Sequence, residues 1–135
     1  EEIDDPEFIQ SKKDKEFATS YYQSDNYLRS ELDLLNLTRT NPDALVCWFY
    51  LGQVYLNLKK WDEAITCFRN SLENERVQLQ PEAKVWAFNL LGTCLLKANN
   101  PSEAMNKFQS ALALECDYQN AKSYALNGIS RTKLK

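Results

Sequence analysis

A glycine set among large apolar residues occurs twice in this chain, each time in the same company. Around Gly52 stand Trp48, Leu51 and Tyr55, and Ala64 and Phe68 follow; around Gly92 stand Phe88, Leu91 and Leu95, and Ala104 and Phe108 follow at the same offsets. A motif that returns in register constrains the fold strongly. Each copy is one small unit with an apolar face that only a neighbouring unit can cover, so the copies must stack. Within a copy the apolar residues recur three and four apart, as in Trp48, Leu51, Tyr55, Leu58 and again in Ala64, Ile65, Phe68, Leu72, which puts each set on one stripe of a helix. Between them Asn57 to Trp61 is a short polar break, and Asp62 places an acid where a helix N-terminus favours it. The unit is therefore a helical hairpin. Glycine inside a helix costs about 1 kcal/mol relative to alanine, so Gly52 predicts a close approach of the second helix, with small Ala64 meeting it and Trp48, Tyr55 and Phe68 filling the space around.

Stepping back 34 residues from Gly52 reaches Ala18, flanked by Phe17 and Tyr21, with Ser30 and Leu34 in the places of Ala64 and Phe68 and Asn41-Pro42 closing the unit. From Gly52 to Gly92 the step is 40, so six extra residues fall within ENERVQLQPEAK, between Leu72 and Val85. Glu73, Asn74, Glu75 and Arg76 suit the outside of a helix, and the expectation is that the preceding helix runs on and stops before Pro81. In the last copy Asn100 can cap, Pro101 suits the first helical position and Glu103 can bond back. After Asp117, Ala121, Tyr124, Ala125, Gly128 and Ile129 share one face while Lys122, Asn127 and Arg131 occupy the other. That pattern suits a helix that covers the exposed end of a stack, or the first helix of a further unit.

Trp48-x-x-Leu51-Gly52-x-x-Tyr55 followed by Ala64-x-x-x-Phe68 resembles the tetratricopeptide repeat signature. Phe88 and Leu95 are conservative departures in the later copy; in the first, Asp14 stands where an aromatic is usual and Leu37 where a small residue is usual. Pro42 fills the closing-proline position, which Arg76 and Cys116 occupy later. The resemblance implies an all-α fold, a right-handed α-solenoid of about three hairpins over residues 11–44, 45–84 (with the insertion) and 85–118. An acidic leader, 1–10, precedes them and a C-terminal capping helix, 119–135, follows. It further implies that the first helix of each hairpin lines a concave groove, placing there Lys12 and Lys15, then Phe49, Gln53 and Asn57, then Trp86, Asn89 and Thr93. Two large apolar groups beside amides suit a peptide or an amphipathic helix. Alternatively, Phe49 and Trp86 pack on the terminal helix or on each other. Family members that clamp the carboxylate tail of chaperones use basic and asparagine residues. Of those positions only Lys15 is kept, with Thr19, Tyr50, Trp86 and Leu90 at the others, which argues against such a tail as partner.

Composition narrows the rest. The net charge is −3, yet residues 1–16 hold seven acids and three lysines, leaving the remainder near neutral. A near-neutral body under an acidic leader is a poor match for nucleic acid. No apolar run approaches the length of a membrane span. The sequence opens at Glu1 without a signal-like apolar core and reads as a piece of a longer protein. Cys47, Cys67, Cys94 and Cys116 are widely spaced and no histidine is present, which offers no zinc pattern and suits buried thiols in a reducing compartment, cytoplasmic or nuclear. Without histidine or a glycine-rich phosphate loop the chain shows no catalytic constellation and no cofactor motif. Two expectations follow. One is an adaptor or scaffold that binds a partner's peptide or helix in the groove, with Phe49 and Trp86 exposed in the free protein. The other is a structural subunit of a longer solenoid or homo-oligomer, with the same apolar surface permanently covered.

Overall fold

The computed structural model describes residues 27–114 and 119–134. Six helices make up these residues: α1 (Tyr27–Thr40), α2 (Leu45–Asn57), α3 (Trp61–Leu72), α4 (Pro81–Lys97), α5 (Pro101–Ala113) and α6 (Gln119–Lys133). Each packs on the next in sequence, and α4 also lies beside α2 and α6. Consecutive antiparallel hairpins with their first helices side by side form a helical-hairpin solenoid, α2–α3 being one hairpin and α4–α5 the next. The acidic leader and the first helix expected before α1, with Lys12 and Lys15, lie outside the described residues, as does Cys116.

The two hairpin turns are built alike, residue for residue. Lys60 N–H donates to Tyr55 C=O and Lys59 N–H to Leu56 C=O; forty positions on, Asn100 N–H donates to Leu95 C=O and Asn99 N–H to Leu96 C=O, all at 2.8–3.1 Å. Both turns close through a residue in the left-handed region, Lys59 at φ 60° and Asn99 at φ 63°. These bonds satisfy helix-end carbonyls that would otherwise be orphaned. Asn100 caps α5: its Oδ1 accepts from Glu103 N–H at 3.3 Å, and its Nδ2 donates to Glu103 Oε2 at 2.9 Å.

Inside each hairpin the close approach occurs, but an aromatic ring makes it. A methyl group placed on Gly52 would sit 2.8 Å from the Phe68 ring, and one on Gly92 would sit 2.9 Å from the ring of Phe108. Phe68 and Phe108 are both fully buried, as are Ala64 and Ala104. Each glycine is thus a seat for a phenyl ring, whose full burial contributes about 1.5–3 kcal/mol, more than the helix propensity given up. Phe108 is seated twice, since a methyl on Gly128 of α6 would fall 2.4 Å from the same ring.

The insertion does not lengthen α3. That helix ends at Leu72, residues 73–80 form a link, and α4 begins at Pro81, four residues earlier relative to Gly92 than α2 begins relative to Gly52. The link is held by polar bonds to the turn between α1 and α2. Asn74 Nδ2 donates to Asp43 Oδ1 at 2.9 Å, the Arg76 guanidinium donates to the other Asp43 oxygen, and Asn74 Oδ1 accepts from the N–H groups of Arg76 and Val77. The bond from Asn74, and then that from Arg76, hold the Asp43 carboxyl below its ordinary pKa. In the same turn Trp48 Nε1 donates to Pro42 C=O at 3.0 Å, so the indole that opens the signature also fixes the preceding bend. Among the described residues no helix is long and apolar enough to cross a membrane.

Candidate interaction surface

Two first helices, α2 and α4, lie side by side and carry the side chains that the sequence assigns to a concave face. Their surroundings differ sharply. Phe49 is only 7% exposed and belongs to the main core, its ring edge-on to Phe68 at 6.1 Å and to Tyr50 at 5.5 Å. The adaptor expectation that Phe49 stands exposed is not met. Gln53, one turn on, is half-buried, and Asn57 at the end of α2 is exposed.

On α4 the three expected groove residues meet α6. Trp86 is half-buried with its ring edge-on to Tyr124 at 5.3 Å. Asn89 is fully buried, and its Nδ2 donates to the main-chain carbonyl of Ala121 at 3.0 Å while its Oδ1 meets no donor among the described residues. Thr93 is 9% exposed; its hydroxyl bonds the Asn89 carbonyl at 3.1 Å and shares a 2.7 Å hydrogen bond with the Tyr124 hydroxyl. Arg131 lies over the Tyr124 ring, its guanidinium carbon 5.9 Å from the ring centre. The third unit's predicted residues are thus brought together, and what they grip is the chain's own terminal helix. Ala121, Ala125, Gly128 and Thr132 form the buried face of α6, all small, so its backbone comes close to α4 and α5.

One row of incompletely buried residues on α2 keeps Gln53 and Asn57 of the expected set but has Tyr50 in place of Phe49. Val46, Tyr50, Gln53 and Asn57 follow at spacings of four, three and four, one stripe of a helix, and the same register on α4 is Trp86, Leu90, Thr93 and Lys97. Tyr50 and Leu90 are the members that the groove assignment passed over. They carry a signal in sequence, since both stand at positions that chaperone-binding relatives use for their clamp. At the turn edge Lys97 Nζ lies 6.0 Å from the centre of the Trp61 ring and Lys60 Nζ 5.8 Å from that of Tyr55, a weakly cationic rim.

Several charges are paired for structure, Lys60 of the rim among them. Arg69 on α3 donates to Glu103 at the start of α5 at 2.5 Å, linking the second helices of successive hairpins, and Lys60 reaches Glu31 of α1 at 3.9 Å. Both pairs are partly solvated and contribute at most about 1 kcal/mol. Cys47, Cys67 and Cys94 are buried. Burial pushes the Cys94 thiol up to about 12, and burial, with smaller effects from Glu63, Cys94 and Glu31, does the same for Cys67. These thiols are core groups, poor nucleophiles at neutral pH.

No curated protein matches the chain significantly. A family model described as tetratricopeptide repeat matches residues 43–115, which is more than half of the sequence and takes in α2 through α5. Repeats of that family mediate protein–protein interactions. With two hairpins of the same build, each seating a phenyl ring on a glycine, the chain belongs to the tetratricopeptide repeat family.

Proposed function

We propose that this chain is a protein-interaction module that receives a peptide or helical segment of a partner along its first helices, as an adaptor or scaffold. The observation that carries the reading is the stripe Val46, Tyr50, Gln53 and Asn57 on α2, each half-buried or exposed, beside Leu90 and Lys97 on α4. Aliphatic and aromatic carbon at Val46, Tyr50 and Leu90 stands beside the side-chain amide of Gln53, which can bond a peptide backbone in either direction. The partner chemistry that fits is an apolar or amphipathic segment, with Lys97 at the rim favouring acid at one end. Lys12 and Lys15 would extend the same surface into the first unit.

A photo-crosslinking amino acid at Gln53, compared with one at Asn70 on the exposed side of α3, tests the reading. Covalent capture of one protein from Gln53 but not from Asn70, abolished by Leu90→Arg in a variant with an unchanged melting temperature, is the expected result. Capture from Asn70 alone would move the interface to the outer helices and overturn the groove. A second reading, a structural subunit of a longer solenoid or homo-oligomer, draws support from α6, which already covers Trp86, Asn89 and Thr93.

A further inference from the structure

The outward face of α6 carries charge of one sign. Between Gln119 and Lys133 there are three bases, Lys122, Arg131 and Lys133, and no acid. Arg131 lies against Tyr124, while Lys122 and Lys133 meet no carboxylate among the described residues. On the side away from the buried alanines stand Leu126, 55% exposed, and Leu134, 87% exposed. Lys122, Leu126 and Lys133 fall on one stripe at helical spacing, with Leu134 one residue beyond. A cationic helix face with two bare leucines calls for an occupant with acids and a few apolar anchors. Residues 1–10, EEIDDPEFIQ, have that composition: five acids, no base, and Ile3, Phe8 and Ile9.

We infer that the outward face of α6 docks residues 1–10 of a second copy of the chain. The match is one of charge and of apolar anchors together. A second copy is favoured over the same molecule by the layout of the stack. Among the described helices α1 touches only α2, so it lies at the end of the row opposite α6. Residues 1–10 join the described structure at α1, through residues 11–26. Association of this kind is head-to-tail, with a different patch on each partner, and it forms chains or rings rather than twofold dimers. The inference does not rest on the groove, and either can fail without the other.

Sedimentation equilibrium of the 135-residue chain, over a concentration series at low and at high salt, tests it. The expected result is a mass that rises with concentration at about 0.05 M salt and falls back to that of one chain at about 0.5 M, where the screening length shrinks several-fold. Lys122→Glu with Lys133→Glu and, separately, removal of residues 1–10 should each give a monomer. Mixing these two defective proteins should restore a one-to-one complex, since each keeps the half that the other lacks. Leu126→Ser serves as a second face variant, and circular dichroism melts establish that every protein compared is folded. A wild-type chain monomeric at all concentrations would overturn the inference. So would self-association that survives both changes, or a mixture that stays monomeric.

Discussion

Lys59 and Asn99 hold the same left-handed backbone in turns forty residues apart, yet their side chains meet that demand unequally. Asparagine tolerates the conformation by local hydrogen bonding, whereas lysine has no such compensation and its Cβ crowds the following carbonyl. Lys59→Gly is therefore expected to raise stability by about 0.5–1 kcal/mol and Asn99→Gly to do less, read from urea midpoints at unchanged slope. A lowered midpoint for Lys59→Gly would mean that the turn does not need its left-handed residue. The glycines of the helices predict the reverse sign. Alanine has the better helix propensity, but at Gly128 its methyl would stand 2.4 Å from the Phe108 ring and at Gly52 2.8 Å from that of Phe68. Neither ring can retreat, because both are fully buried. Gly128→Ala is expected to destabilise by about 1–3 kcal/mol, and Gly52→Ala by less, in thermal or urea melts.

Between elements, the most distinctive contact is the polar seam of α4 and α6, where Asn89 reaches the Ala121 carbonyl and Thr93 shares a hydrogen bond with Tyr124. The hydroxyl pair should appear as coupling. Thr93→Val and Tyr124→Phe should each cost about 0.5–1.5 kcal/mol, and the double variant should cost less than their sum by an amount a double-mutant cycle can measure. Strict additivity would mean that the two hydroxyls do not meet in solution. The helices themselves were legible in sequence, because three-four periodicity and the small-residue positions depend on neighbours within one hairpin. The link at 73–80 was not. Glu73 to Arg76 are compatible with a helix, and what ends α3 at Leu72 is joined by bonds from Asn74 and Arg76 to Asp43, a partner about thirty residues upstream. The groove was legible in part. Periodicity finds the right helices, but whether Phe49 or Tyr50 turns to the core depends on the packing angle of helices that no local pattern encodes.

For the molecule as a whole, the buried thiols tie stability to alkaline pH. Cys67 and Cys94 ionise near 9.0 when unfolded and are pushed up to about 12 in the fold, chiefly by burial. A raised thiol pKa means that the folded chain keeps protons which the unfolded chain has lost. The contribution is therefore complete below pH 9 and declines as pH climbs toward 12. Urea melts of wild type at about pH 8 and about pH 10.5 should show a loss that a Cys67→Ala, Cys94→Ala variant shows less of, lysine and tyrosine titration being common to both. An identical slope in the two proteins would place those thiols in contact with water. The phenyl ring of Phe108 bears on a different property. Because it is seated against Gly92 on one side and Gly128 on the other, a single rigid group is shared by α4, α5 and α6. If the chain were pulled by its last residues in an optical trap, α6 could not peel away alone without uncovering that ring. The extension trace should therefore show the terminal helix and the hairpin before it giving way in one rip, longer than a single helix can supply.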